Sequence, residues 1–241
     1  MKEYIDIHCH CLPGVDDGPE RMEESLRMLV TAYRDGIRSI VATPHYYPGQ
    51  NNASPEQIRE KLWQLKTEAA AVCPKLSLYL GNELYYNSGL PELLAGKEAF
   101  TMADSSYVLM EFAPEVDYTE LRNGLYSMQT QGFWPILAHV ERYQQLLEDM
   151  ERARELIEMG VYLQANASSI LGRHGRREKR FLRRLLEEER LHFVATDAHD
   201  LSGRPPVLSK CAVYLEKKYG ERLTERLLHE NPRKMMNNEL L

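Results

Sequence analysis

Two histidines two residues apart, His8 and His10, follow the run Ile5-Asp6-Ile7 near the start of this 241-residue chain. On a strand, side chains at i and i+2 share a face, so both imidazoles can converge on one point at the strand's end. Asp16-Asp17-Gly18 follows, a carboxylate pair beside a turn-forming glycine. Neutral imidazole together with carboxylate suits Zn, Mn or Fe rather than Ca or Mg alone. The same residue types recur after later β-like runs. They are His45 in Ala42-Thr43-Pro44-His45, Glu83 in Leu80-Gly81-Asn82-Glu83, Glu111 in Met110-Glu111-Phe112 and His139 in Leu137-Ala138-His139. The last are Asp197 and His199 in Thr196-Asp197-Ala198-His199. A carboxylate such as Glu111 inside an otherwise apolar run is costly unless it is paired or metal-bound. His174, His192 and His229 have no such placement and read as ordinary surface or helix residues.

The elements that must position these groups alternate short β-like runs with longer helical ones, the pattern of βα units and a parallel sheet. Strands are predicted over 4–7, 39–42, 76–80, 107–112, 135–138, 161–164 and 193–196. Helices are predicted over 20–34, 57–72, 118–131, 148–159, 177–189 and 208–219, with a short one over 221–230. Ser54-Pro55-Glu56-Gln57 supplies an N-cap, an N1 proline and a capping-box glutamine to the second of these. About seven βα steps fit a barrel better than an open sheet. In a parallel barrel all carboxyl ends lie on one face, so residues far apart in sequence become neighbours. Six of the seven predicted strands deliver a metal-type ligand there; the sixth ends in Gln164-Ala165-Asn166 instead.

Size and composition bound the function. One domain, spanning 1–241, is the default for this length. The 30 Lys+Arg against 36 Asp+Glu give a formal net charge of −6, which argues against a general nucleic-acid binder. There is no apolar run long enough to span a bilayer and no signal-peptide pattern at the N-terminus. The four cysteines form no C-x-x-C pair. The positions six residues after Cys9, Cys11, Cys73 and Cys211 hold Val15, Asp17, Tyr79 and Lys217, none of them the arginine that a cysteine-nucleophile phosphatase needs. Cys9 and Cys11 alternate with the two histidines and are expected to be buried, reduced and inert, which fits a cytoplasmic compartment.

These motifs resemble the PHP (polymerase and histidinol phosphatase) superfamily, and within it the bacterial capsule-type protein-tyrosine phosphatases of the CpsB/CapC group. The resemblance rests on Ile5-Asp6-Ile7-His8-Cys9-His10, Pro13-Gly14-Val15-Asp16-Asp17-Gly18, Ala42-Thr43-Pro44-His45-Tyr46, Gly81-Asn82-Glu83, His139-Val140-Glu141-Arg142-Tyr143, Thr196-Asp197-Ala198-His199-Asp200 and Arg204-Pro205-Pro206. Glu230-Asn231-Pro232 is also family-like. The H-x-H and D-A-H segments mark the superfamily; the D-D-G and R-P-P segments are more specific to the phosphatases. Val140 and Thr196 stand where the family often has proline and serine, and neither removes a ligand.

The resemblance implies a distorted (β/α)7 TIM-like barrel, the PHP fold, holding a three-metal cluster of Mn2+, with Fe or Zn as alternatives. Carried over by motif, His8, His10, Glu83 and Asp197 hold one metal. Glu83 bridges to a second, shared with Glu111 and His139. Asp17, His45 and His199 hold the third, and Asp16 is the lesser candidate of its pair. The expected activity is hydrolysis of phosphotyrosine on a bacterial tyrosine kinase with a tyrosine-rich tail, regulating capsule or exopolysaccharide synthesis. A metal-activated hydroxide then attacks phosphorus in line, with no phosphocysteine. Arg142 and Arg204 are the candidates for the phosphoryl oxygens, because a guanidinium fork matches phosphate geometry. No general acid is assigned, Asp200 being the nearest candidate. Helix 20–34 is the candidate for a homo-oligomer interface, since family members can form rings.

Two rival functions remain on sequence alone. One is a small-molecule phosphoesterase of the same superfamily, such as histidinol-phosphate phosphatase. The other is a non-catalytic metal-holding module, against which the complete ligand set argues. Tyr46-Tyr47 and Tyr85-Tyr86 stand just after ligand positions, where they suit either a wall for a phenyl ring or loop packing. The basic stretch 173–184 reads as a solvated helix face with Phe181, Leu182, Leu185 and Leu186 turned inward, the alternative being attraction of an acidic phosphopeptide tail.

Overall fold

A computed structural model describes residues 3–241 of the chain. Its strands are β1 (Tyr4–Cys9), β2 (Ile37–Ala42), β3 (His45–Tyr46), β4 (Ser77–Leu80), β5 (Glu83–Tyr85), β6 (Tyr107–Glu111), β7 (Trp134–Leu137), β8 (Tyr162–Asn166) and β9 (Phe193–Ala195). All pairings are parallel, in the orders β1-β2-β4 and β3-β5-β6-β7-β8-β9. β3 resumes β2 after Thr43-Pro44, and β5 resumes β4 after Gly81-Asn82, so nine segments make seven staves. Backbone bonds Gly81 N–H to Ala42 O (2.9 Å) and Glu83 N–H to Pro44 O (3.2 Å) carry the ladder across both kinks. β9 returns to β1 through a parallel bridge between Cys9 and Ala198 and through Asp197 N–H to His8 O (2.9 Å). The curled parallel sheet is the α/β barrel expected from seven βα steps.

Apolar residues of alternate parity fill the inside. Ile5 and Ile7 of β1, Val41 of β2, Leu109 of β6, Ile136 of β7 and Phe193 of β9 form one buried cluster. Met235 of the terminal helix Asn231–Met236 joins them, and the Tyr107 hydroxyl donates to Glu239 O (2.7 Å), so the chain's end closes one mouth. A larger apolar layer lies between the strands and the outer helices. The helices there include Met22–Asp35, Pro55–Val72, Tyr118–Thr130, Arg176–Glu187 and Ser209–Tyr219. The predicted cap is present: Gln57 N–H donates to Ser54 Oγ (3.3 Å), while Gln57 Oε1 accepts from Ser54 N–H (2.8 Å). Arg176–Glu187 buries Phe181, Leu182, Leu185 and Leu186, as its pattern requires. The predicted helix 148–159 is two helices, Gln144–Glu148 and Met150–Glu158, because Asp149 leaves the helical region to cap the second through Glu151 N–H (3.0 Å).

His192 departs from the surface role expected of it. Its Nδ1 accepts from Leu163 N–H (3.1 Å), and its own N–H donates to Leu163 O (3.1 Å), tying the start of β9 to β8. Burial, helped by the Arg226 charge, lowers its pKa to about 4. A histidine whose folded pKa lies below its unfolded value near 6.5 contributes stability that is complete above that value. The contribution is lost as pH falls toward 4, up to about 3 kcal/mol at 1.4 kcal/mol per unit. We expect the melting temperature to fall over this window more steeply than in His192→Asn, whose amide oxygen keeps the acceptor; parallel profiles would contradict the assignment.

Candidate metal centre

The carboxyl ends of the strands gather five histidines and four carboxylates at the open mouth. Their delivery depends on local departures from regular strand geometry. In β1, Asp6 pairs with Ile40 and Cys9 with Ala42, three residues advancing against two. This one-residue bulge reverses the alternation, so Ile5 and Ile7 pack inside the barrel and yet His8 and His10 also reach its mouth. Cys9 and Cys11 then fall in the outer apolar layer. His139 (φ 32°) and Asp197 (φ 53°) each follow their strand in the left-handed region, an uncommon conformation for residues with a Cβ. The loop bearing Asp16 and Asp17 presses on β1 at Gly18, where a Cβ would lie 2.5 Å from His10 O.

Three sets of ligand atoms converge. The first is His8, His10, Glu83 and Asp197; the second is His10, Asp17, His45 and His199; the third is His45, Glu83 and Glu111. Glu83 is the hub: Oε2 lies 3.1 Å from His8 Nε2, 3.1 Å from His10 Nε2 and 3.2 Å from His45 Nδ1, and Oε1 lies 2.7 Å from His139 Nε2. His139 Nε2 is also 3.3 Å from Glu111 Oε1, so His139 and His45 both face the Glu83–Glu111 pair. Asp17, half-exposed, stands 3.2 Å from His199 Nε2 and 3.5 Å from His45 Nε2.

Surrounding hydrogen bonds decide which ring nitrogens present lone pairs. Gln164 Oε1 accepts from His139 N–H (2.8 Å), which fixes it as the amide oxygen. His8 Nδ1, 3.2 Å from the same oxygen, must therefore donate, leaving its Nε2 as a lone pair. His10 Nδ1 donates to Asp16 Oδ2 (2.7 Å) and His199 Nδ1 to Asp197 O (3.0 Å), which frees both Nε2 atoms likewise. His8 Nε2 and His10 Nε2 thus face each other at 3.2 Å, with a carboxylate oxygen 3.1 Å from both. Buried His139 Nδ1 has no hydrogen-bond partner among the described residues, and buried His45 Nδ1 and His199 Nε2 stand 3.2 Å from carboxylate oxygens of Glu83 and Asp17 without hydrogen-bond geometry. Converging electron-rich atoms in this state require a cation or protons between them, and the donor set fits divalent transition-metal ions.

The same carboxylates shift the proton affinity of the imidazoles they face. Burial disfavours charge on His10, yet Asp16 and Glu83 raise its pKa well above the usual value. Against burial, Glu111 and Glu83 raise His139 to about 9. Burial would raise Glu83, but the surrounding histidines hold it well below the usual carboxylate range.

The residues that orient this set were mostly not singled out by sequence. Asp16 holds the His10 ring and accepts from His45 N–H (3.1 Å). Gln164 Nε2 donates to Asn166 Oδ1 (2.9 Å), and Asn166 Nδ2 donates to Asp197 Oδ2 (2.8 Å). Arg142 donates to the same Oδ2, leaving Oδ1 toward His8 (3.5 Å) and His10 (3.7 Å). The strand that lacks a metal-type residue instead supplies two amides that position the candidate ligands of its neighbours. Buried Asp6 ties β1 to the far edge by accepting from Thr196 N–H (3.0 Å) and Oγ1–H (2.5 Å).

Arg204 also reaches the mouth, 3.4 Å from Asp17 Oδ2 and 3.8 Å from Asp197 Oδ1. Asp200 is occupied by the loop that carries Arg204, accepting from Ser202 N–H (2.6 Å), Ser202 Oγ (3.0 Å) and Gly203 N–H. Despite some burial, these bonds lower its pKa, which makes it a poor proton donor. The tyrosine pairs split. Tyr46 is buried and Tyr86 stacks on Phe112 (4.8 Å), whereas Tyr47 lies 5.2 Å from the His45 ring and 5.5 Å from Tyr85.

All four cysteines are free and buried. A hydrogen bond with Cys11, with burial behind it, raises the Cys9 thiol well above its ordinary pKa, and a protonated thiol is a poor nucleophile. Cys9→Ser and Cys11→Ser are expected to keep aryl-phosphate turnover within about threefold while losing about 1–3 kcal/mol of stability to the buried hydroxyl. Lost turnover with metal content intact would point to thiol chemistry instead.

Residues 4–237 match the family described as capsular polysaccharide synthesis, CpsB/CapC. The tyrosine-protein phosphatase CpsB of Streptococcus pneumoniae is 37% identical over 242 residues, covering 98% of this chain and 100% of its own. A chain from the crystal structures of YwqE from Bacillus subtilis and CpsB from Streptococcus pneumoniae, described as unique metal-dependent tyrosine phosphatases, is similar with a TM-score of 0.89. It shares 33% identity, over 98% of this chain and 95% of that one. The phosphotriesterase homology protein of Escherichia coli shares the fold alone, with a TM-score of 0.65 and 12% identity over 97% of this chain and 98% of its own. By a match that runs from β1 into the terminal residues and takes in every strand that lines the mouth, this chain belongs to the CpsB/CapC family.

Proposed function

We propose that this chain is a manganese-dependent protein-tyrosine phosphatase acting on the tyrosine-rich tail of a bacterial kinase, in the cytoplasm, within capsule or exopolysaccharide synthesis. The observation that carries the metal part is the facing of His8 Nε2, His10 Nε2 and Glu83 Oε2 across about 3 Å, with their outer nitrogens already engaged. The names of the relatives that match over nearly their whole length support the phosphotyrosine part.

We assign His8, His10, Glu83 and Asp197 to one ion; Glu83, Glu111 and His139 to a second; and Asp17, His45 and His199 to a third. Glu83, whose two oxygens face different histidines, is the one residue assigned to two ions. Such ions, when bound, lower the pKa of water toward neutrality and neutralise phosphoryl charge. The chain supplies the rest. Arg142, anchored on Asp197, and Arg204, set between Asp17 and Asp197, present guanidinium groups to the oxygens of an incoming phosphate. Tyr47 and Tyr85 offer an aromatic wall beside His45 for the phenyl ring. Tyrosinate, with a conjugate-acid pKa of about 10, leaves with less need of a general acid than an alkoxide does, which accords with an occupied Asp200.

Turnover of a phosphotyrosyl peptide and of histidinol phosphate, measured side by side with Mn2+ present, tests the substrate assignment. Preference for the peptide is expected; preference for histidinol phosphate would make the chain a small-molecule phosphoesterase of the same fold.

A further inference from the structure

Beside the mouth, a cavity of about 200 Å3 shares a wall with the metal centre. Arg204 lines it and also reaches Asp17 and Asp197. Its apolar lining comes from Ala167, Leu171, Pro205 and Val207, and Arg173 and Lys210 complete its charged groups. All the charged residues lining it are thus basic, in a chain whose formal net charge is −6. Leu171 is a large apolar side chain left 39% exposed. The segment bearing it is a fixed turn: Leu171 N–H donates to Ala167 O (3.2 Å), Arg173 N–H to Ser168 O (3.0 Å), and Lys179 Nζ to Leu171 O (3.3 Å). An exposed leucine on a hydrogen-bonded turn, facing proline and valine under a basic rim, has the chemistry to take an apolar side chain with an acidic neighbour.

We infer that this cavity is the subsite for residues flanking the phosphotyrosine. An apolar side chain lies on Leu171, Pro205 and Val207, and an adjacent carboxylate faces Arg173 and Lys210. The inference rests on the phosphotyrosine reading above. An extended peptide advances about 3.3 Å per residue and alternates its faces, so the residue two positions from the phosphotyrosine stands about 7 Å to one side with its side chain directed the same way, toward a cavity beside the phosphate held at Arg204. The volume is room for one side chain, so the selection it exerts is local and acts on peptides only.

The test compares three substrates with the Mn2+-loaded protein. One phosphotyrosyl peptide carries leucine and glutamate on both sides of the phosphotyrosine, a second carries serine and lysine there, and para-nitrophenyl phosphate has no flanking residues. The wild type should prefer the first peptide by about tenfold or more in kcat/KM, the scale of one apolar contact plus rim charges. Leu171→Asp, and separately the double change Arg173→Glu with Lys210→Glu, should remove most of that preference through KM. Both should leave para-nitrophenyl phosphate turnover within about twofold, which also shows that the variants fold. Equal use of the two peptides by the wild type, or an unchanged preference in both variants, overturns the subsite. Failure of the loaded wild type to hydrolyse any of the three overturns the phosphotyrosine reading, and the subsite with it.

Discussion

Glu83→Gln should lower aryl-phosphate turnover by about a thousandfold or more and lower the metal content of the purified protein. The carboxylate lies within 3.2 Å of four histidines and takes part in two of the three converging ligand sets. Glutamine keeps the shape and removes the charge, so the loss reports on ligation rather than packing. It should exceed the 10–100-fold expected of an orienting residue such as Gln164. Retention of full metal content with normal turnover would show that Glu83 pairs with the histidines only for structural reasons.

Asp197→Asn is the second large effect, again about a thousandfold in kcat, on the scale of a lost ligand or oxyanion donor. One oxygen of Asp197 is anchored by Arg142 and Asn166 while the other faces His8 and His10. Removal of the charge therefore weakens ligation and releases Arg142 together. Asparagine tolerates the left-handed φ of 53°, whereas alanine there adds backbone strain of about 1–2 kcal/mol. The Asn variant should remain folded by circular dichroism, and Asp197→Ala should lose the same activity with a lower melting temperature. An active Asp197→Asn protein would remove this residue from the chemistry.

The ligand candidates were legible because imidazoles and carboxylates at the ends of apolar runs have few inexpensive alternatives. All seven predicted strands are present, with ends within about two residues, since β-branched runs between helical periods are strong signals. What stayed hidden depends on tertiary partners. Strict alternation from Ile5 and Ile7 would have turned His8 and His10 outward; only the bulge, set by pairing with β2, brings both pairs inside. Gln164 and Asn166 looked inert because an amide announces no chemistry until its neighbours are known. His192 looked ordinary because its partner, Leu163 N–H, is backbone, which carries no sequence signal. The split of each tyrosine pair into one packed and one mouth-facing ring follows from short strands β3 and β5, which were absent from the sequence pattern.

Binding of divalent metal by the gathered imidazoles and carboxylates, and the dependence of hydrolysis on it, can be measured together. The direct measurement is elemental analysis paired with aryl-phosphate turnover before chelation, after chelation and after Mn2+ add-back. Up to three ions per chain are expected, with loss of turnover in step with their removal and recovery on add-back. Undiminished hydrolysis by protein shown to be metal-free, or failure of the folded chain to take up any divalent ion, would contradict it.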